Sequence, residues 1–206
     1  MPYLEFDEKE LSQDIKTKAL KEIQNVCMQC TNCELSKTRT SIVFSDGNPD
    51  AKIMLIGEAP GKDEDASGIP FVGRAGRLLN ELLEECGISR EKDLYICNTI
   101  KCRPPENRVP TDEEKQICSP FLMSQINIVR PKVIILCGST AAKSFLDKDF
   151  KISEIRGEWY TLFGKIKAMV IFHPSYLLRN HSLEENSPRS LTKKDLRKIK
   201  QEIQNL

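Results

Sequence analysis

Leu11, Ile15, Ala19, Ile23 and Val26 recur at helical spacing with charges between them, which predicts an amphipathic helix over residues 8–26 packed on the body of the protein. Lys52-Ile53-Met54-Leu55-Ile56 is a short apolar run that stops at Gly57-Glu58-Ala59-Pro60-Gly61, a buried strand delivered straight into turn chemistry. Gly73 and Gly76 then precede a helix whose apolar set is Leu78, Leu79, Leu82, Leu83 and Cys86, closed by Gly87. Further strands are predicted at 93–98 (DLYICN), 132–137 (KVIILC) and 164–172, the last ending at His173-Pro174. Helices fall at 112–129 and after Gly138-Ser139-Thr140, and the proline-rich stretch 101–112 (KCRPPENRVPTD) is excluded from regular structure. Strands alternating with helices give an α/β fold: a three-layer α/β/α sandwich around a central four-stranded, mainly parallel sheet, one domain over residues 1–206.

Composition narrows the class without choosing a function. The 206 residues are 39% hydrophobic and 30% charged, which is ordinary for a soluble globular chain. The apolar runs are too short to span a bilayer and the acidic, amphipathic start is not a signal peptide, so an intracellular, cytoplasmic protein with no membrane partner is expected. A net charge of +1 leaves any nucleic-acid surface to a local patch.

Eight cysteines in such a chain need a reason other than disulfides. Cys86 on an apolar helix face and Cys97 and Cys137 inside strands read as small buried hydrophobes. Cys27-x2-Cys30-x2-Cys33 resembles the start of a ferredoxin run, but Lys37 holds the next position and no Cys-Pro follows. Cys102 and Cys118, bracketing the proline loop, are the donors to complete a four-thiolate site. Zinc and a 4Fe–4S cluster both suit four thiolates; two distant single cysteines beside one close pair favour iron–sulfur, in a structural role.

The strand ends share a property. Glu58, Asn98 and His173 follow three strands, and a parallel sheet brings them to one rim. Asn98 offers a donor and an acceptor for the edge of a flat heterocycle, His173 a donor for a developing anion, and Phe71 a flat face for stacking. Singly, a turn cap, a satisfied loop histidine and a core phenylalanine explain them as well; three converging together favour a site. Gly57-x3-Gly61-Lys62-Asp63 is one residue short of a P-loop and has Asp63 where Mg²⁺ needs a hydroxyl, so nucleotide hydrolysis is rejected.

GEAPG (57–61), GIPFVGRAG (68–76), CNTIKCRPPENR (97–108) and FHPSYLLRN (172–180), in this order and with this cysteine spacing, resemble family 4 of the uracil-DNA glycosylase superfamily, the iron–sulfur enzymes. The resemblance runs from Cys30 through nearly all the rest of the chain. It implies hydrolysis of the N-glycosidic bond of deoxyuridine in single- or double-stranded DNA, leaving an abasic site for base-excision repair. It implies cluster ligands Cys30, Cys33, Cys102 and Cys118, with Cys27 surplus and zinc the alternative metal. It gives catalytic roles to Glu58, Asn98 and His173, and a substrate pocket of Gly57, Ala59, Glu64, Phe71, Asn98 and His173. Here Phe71 stacks on the flipped base, Asn98 reads its edge, His173 stabilises the leaving anion at O2 and Glu64 crowds a thymine methyl. Leu177 matches a leucine wedge, and Leu177, Arg179, Lys101, Arg103 and Arg108 are the expected DNA contacts. A C-terminal basic run (Arg189, Lys193, Lys194, Arg197, Lys198, Lys200) joins them, with a solvated helix face as the equal alternative.

One departure stands out. Superfamily members with a strong general base carry Asp at the third place of the GEAPG turn, where this chain has Ala59. Family 4 as a class lacks that Asp, so Glu58 or the turn backbone is expected to place the water. A monomer is expected; a sliding-clamp contact is entertained, although the tail after Lys200 shows no clamp-binding motif. Two other readings are carried: a broader glycosylase that takes hypoxanthine, against which the Glu58 position argues, and a non-catalytic cluster-stapled module that binds nucleic acid.

Overall fold

A computed structural model describes residues 11–146 and 149–205. Its strands are β1 (Asp46–Gly47), β2 (Ile53–Gly57), β3 (Leu94–Asn98), β4 (Val133–Cys137), β5 (Trp159–Leu162) and β6 (Ile166–Ile171). They form one sheet in the order β1-β3-β2-β4-β6-β5. The four central strands are parallel, pairing Gly57 with Asn98, Ile56 with Leu136 and Cys137 with Ile171. These are the strands the apolar runs predict. The expected four-stranded sheet is nonetheless wrong in size, because β1 and β5 add antiparallel edges. Neither edge carries the signal of a buried strand: β1 is two residues inside the FSDGNPD turn cluster, and β5 is mostly solvent-facing.

Alternate residues of the central strands serve opposite cores. Ile53 and Leu55 join Leu78, Leu79, Leu82, Leu83, Leu196 and Ile199 on one face, while Met54 and Ile56 join Leu122, Ile126 and Val129 on the other. Every residue of β2, β3 and β4 is buried, as a sheet covered on both sides requires. The helices among the described residues are α1 (Gln13–Met28), α2 (Lys62–Ser67), α3 (Arg74–Glu85), α4 (Arg90–Asp93), α5 (Asp112–Val129), α6 (Ser139–Lys143), α7 (Ile152–Ile155), α8 (Pro174–Arg179) and α9 (Pro188–Gln204). Gly87 closes α3 as its sequence predicts: at φ +70 it lets its own N–H reach Glu84 O at 2.9 Å and Ile88 N–H reach Leu83 O at 2.9 Å.

Two local expectations are corrected. Residues 8–10 of the predicted first helix lie outside the described residues; within α1, Ile15 (52% exposed) and Val26 (64%) face solvent while Leu20 and Cys27 are buried. The buried stripe is therefore rotated, and it includes Lys16, whose ammonium meets Asp50 at 2.5 Å. The proline-rich stretch holds one 3₁₀ turn, Pro105–Asn107, with Glu106 and Asn107 at positive φ.

Candidate active site

Parallel register brings the carboxyl ends of β2, β3, β4 and β6 to one rim, where a cavity of about 540 Å³ opens. Glu58, Ala59, Glu64, Phe71, Asn98, Arg108, His173, Tyr176 and Arg179 are among its lining residues. Phe71, Asn98 and His173 thus meet in one place. Gly57 explains how: a Cβ there would strike both Asn98 Oδ1 and the Phe71 ring, so the missing side chain lets the two close over the β2 terminus. Gly138 does the same beneath His173, and the Phe71 and His173 rings stand 6.0 Å apart, tilted by 37°.

His173 is the N-cap of α8, and its Nδ1 accepts the backbone N–H of Ser175 at 3.2 Å. A backbone N–H can only donate, so Nδ1 carries no proton and the neutral ring carries its proton on Nε2. Enclosure in the pocket, and secondarily the nearby positive Arg179, lower its pKa to about 4, against a smaller opposing pull from Glu64. The imidazole is therefore neutral at pH 7. Asn98, 2% exposed, is held at the end of β3, where its backbone carbonyl accepts the Lys101 ammonium at 2.8 Å. The Glu58 carbonyl accepts Thr99 Oγ1–H at 2.5 Å, which fastens the GEAPG turn to the residue after Asn98. The Glu58 side chain is half-buried at the cavity wall.

Glu64 does more than line the cavity. Its Oε1 accepts the N–H groups of Val72 at 2.9 Å and Gly73 at 2.8 Å, and its Oε2 accepts Gly61 N–H at 3.1 Å. One carboxylate thus joins the GEAPG turn to the loop that carries Phe71.

Several expected DNA contacts are placed elsewhere. Leu177 is 3% exposed and belongs to the core with the α3 leucines. Four positions after the N-cap, it turns onto the inner face of α8, so it does not project as a wedge. Tyr176 and Val109, exposed at the cavity edge, were missed by sequence reasoning, which keyed on the spacing from His173. Lys101, 1% exposed, donates to Asn98 O and to Gln125 Oε1 at 2.6 Å, and so is a buried support and not a phosphate ligand. Arg108 spans Glu114 with two hydrogen bonds at 2.8 and 2.6 Å, and Arg103 Nε donates to Asn107 Oδ1 at 2.8 Å. On α9, Arg189 and Lys193 pair with Glu85, Lys194 with Glu185, Lys200 with Asp93, and Lys198 donates to Gly157 O. Arg179 is exposed at the cavity.

The cysteines divide as their positions suggest. Cys86, Cys97 and Cys137 are buried in or beside the sheet. Cys27 and Cys102 sit in a separate apolar cluster with Leu35, Ile42, Phe44 and Ile100, against which Cys33, Cys118 and Ala59 pack. Cys27, surplus to the four implied ligands, is thus buried among apolar neighbours. Burial holds Cys118 above its ordinary pKa, and the charges of Cys30 and Cys33 add to the rise against an opposing Lys101. Burial likewise pushes Cys102 up to about 11, opposed by Arg39 and reinforced by Cys118 and Cys33. Arg39 Nη1 donates to Cys102 Sγ at 3.2 Å and its Nη2 to Cys30 O at 2.7 Å. All eight cysteines are free thiols, and among the described residues no group of three His, Cys, Asp or Glu side chains closes on a single-ion site.

The model of the Uracil DNA glycosylase superfamily matches residues 44–202. A Type-4 uracil-DNA glycosylase of Thermotoga maritima is 50% identical over 173 residues, covering 84% of this chain and 88% of that protein. One of Archaeoglobus fulgidus is 44% identical over 174 residues, 81% of this chain and 87% of its own length. A Type-5 uracil-DNA glycosylase of Thermus thermophilus is 31% identical over 114 residues, only 48% of this chain and 52% of its own. With the family model spanning the whole sheet and the rim on which Phe71, Asn98 and His173 meet, this chain belongs to the uracil-DNA glycosylase superfamily.

Proposed function

We propose that the protein excises uracil from DNA by hydrolysing the N-glycosidic bond of deoxyuridine, leaving an abasic site. The observation that carries this reading is the meeting of a flat ring (Phe71), an amide (Asn98) and a neutral imidazole (His173) around the side-chain-free Gly57. A base inside a duplex is out of reach, so it must turn out of the stack at a cost of a few kcal/mol. Phe71 then stacks on it and the Asn98 amide pairs with its edge. The Nε2–H of His173 donates to O2 as negative charge gathers there. Because this donor is neutral, it steadies the uracil anion without surrendering its proton first. The C1′–N1 bond breaks, uracil leaves with the bonding pair, and a water positioned by Glu58 or by the turn backbone adds hydroxide to C1′. The water's other proton passes to solvent or to the departing base. Ala59 takes no proton, so the leaving-group side carries the larger share of catalysis.

Arg179, exposed at the cavity, suits phosphate contact. The exposed Tyr176 and Val109, in place of Leu177, border the gap that an everted base leaves behind. Cys30, Cys33, Cys102 and Cys118 form a donor set whose chemistry fits a thiolate-bound 4Fe–4S cluster: four free thiols, with the Arg39 guanidinium donating to the Cys102 sulfur. When bound, such a cluster ties the segment after α1 to the proline loop and to the start of α5. Burial disfavours the Cys102 and Cys118 thiolates, and a bound cation reverses that balance.

Release of free uracil from a uracil-containing oligonucleotide by the purified protein tests the function, with a hypoxanthine substrate beside it. Uracil release with little hypoxanthine release is the expected result; no release from either would overturn the enzyme reading in favour of a binding module. Visible absorbance of the purified protein separates iron–sulfur from zinc.

A further inference from the structure

Phe71 has φ +54, a left-handed conformation that a residue with a Cβ keeps only when its surroundings impose it. The surroundings here are two opposite charges. From one side the Arg90 guanidinium, at the start of α4, donates Nη2–H to Pro70 O at 2.6 Å and Nη1–H to Phe71 O at 3.1 Å. From the other side the Glu64 carboxylate accepts the N–H groups of Val72 and Gly73. The peptide between Phe71 and Val72 is therefore gripped at its oxygen by a cation and at its nitrogen by an anion. Arg90 is itself oriented by Asp46 Oδ2, 2.9 Å from its Nε, and by Asn80 Oδ1, 3.0 Å from Nη1. Gly76, inside the first turn of α3, completes the fit, since a Cβ there would overlap the Phe71 backbone.

We propose that Arg90 and Glu64 are positioning residues that hold the Phe71 ring at its stacking angle before a base arrives. Arg90 stands outside the cavity and acts only through the loop. A ring held by backbone clamps loses no freedom when the base docks, whereas a relaxed loop must be re-ordered at each binding event. The inference rests on Phe71 being the stacking surface, and it deepens that reading. It also gives the Glu64 oxygens a use, anchoring three backbone N–H groups, that is independent of any contact with a thymine methyl.

A double-mutant cycle on single-turnover uracil excision tests it. Phe71→Ala, Arg90→Ala, Arg90→Lys and Glu64→Gln are measured singly, and the last three also in the Phe71→Ala background. Arg90→Ala should slow excision about tenfold when Phe71 is present and less than about twofold when it is absent, because a clamp with no ring to aim has nothing left to lose. Arg90→Lys, which keeps the charge but not the two-carbonyl fork, should fall between Arg90→Ala and the unsubstituted protein. Equal losses in both backgrounds would overturn the proposal, since general damage to the fold ignores whether Phe71 is there. If Phe71→Ala alone has no effect, the stacking surface itself is misassigned, a separate failure. Should Arg90→Ala not fold, Arg90→Lys and Glu64→Gln carry the same cycle, with thermal melting confirming that both are folded.

Discussion

The pocket rim and the outer face of α9 are both rich in polar residues, and they use them in opposite ways. At the rim, Asn98 and His173 hold polar groups in a cavity where the backbone fixes their place: the Lys101 ammonium holds the Asn98 backbone carbonyl at the end of β3, and the Ser175 N–H donates to His173 Nδ1. On α9, Arg189, Lys193, Lys194 and Lys200 face acidic partners on the protein's own surface, and Lys198 caps the carbonyl of Gly157. Few groups with geometry dictated by backbone make a site; many groups with internal counter-charges make a helix face. A basic run in a sequence is therefore poor guidance to a DNA surface until its partners are known.

The sharpest way to break this contrast is to remove the rim's groups. His173→Ala and Asn98→Ala should each slow single-turnover excision by about 10² to 10³, the usual loss for one pre-aimed group at a developing anion. Rates near the unsubstituted protein's in either variant would reject the assigned roles. The same contrast extends to pH. A histidine lowered to about 4 by enclosure and by Arg179 keeps its neutral, donating form down to that value, so excision should hold through mildly acid pH and fall as pH approaches it. In the unfolded chain His173 takes up its proton near 6.5, so folding stability should decline between about 6.5 and about 4 as the pH drops, and His173→Gln should flatten that decline in acid melts.

Cys118→Ser tests the cluster proposed for the loop cysteines. Loss of visible absorbance and a lower melting temperature are expected, with Cys86→Ser leaving the absorbance unchanged. A smaller effect belongs to Arg179→Ala: weaker DNA binding at every sequence and a salt slope shallower by about one, read from affinity across salt concentrations. Smallest of all should be Lys193→Ala on α9, with DNA affinity within about twofold and stability within about 1 kcal/mol, because its ion pair lies at the surface. A salt slope that changes more for Lys193→Ala than for Arg179→Ala would reverse the comparison.

The central strands, the α3 apolar face with its Gly87 stop and the α5 limits at Asp112 and Val129 were legible in the sequence, because each is a local pattern of side chains with one dominant period. The strand-end positions of Asn98 and His173 followed from the same patterns once a parallel sheet was inferred. Tertiary structure alone decided what surrounds those positions. Leu177 turns inward because α8 packs on α3, Lys101 is buried because β3 ends above Gln125, and Arg189 and Lys193 on α9 are occupied because α3 brings Glu85 beside them. The clamp on Phe71 joins β1, α2, α3 and α4, four elements with no periodicity in common. Side-chain periodicity records which face of an element is buried; it holds no information about which charge from a distant element will arrive there.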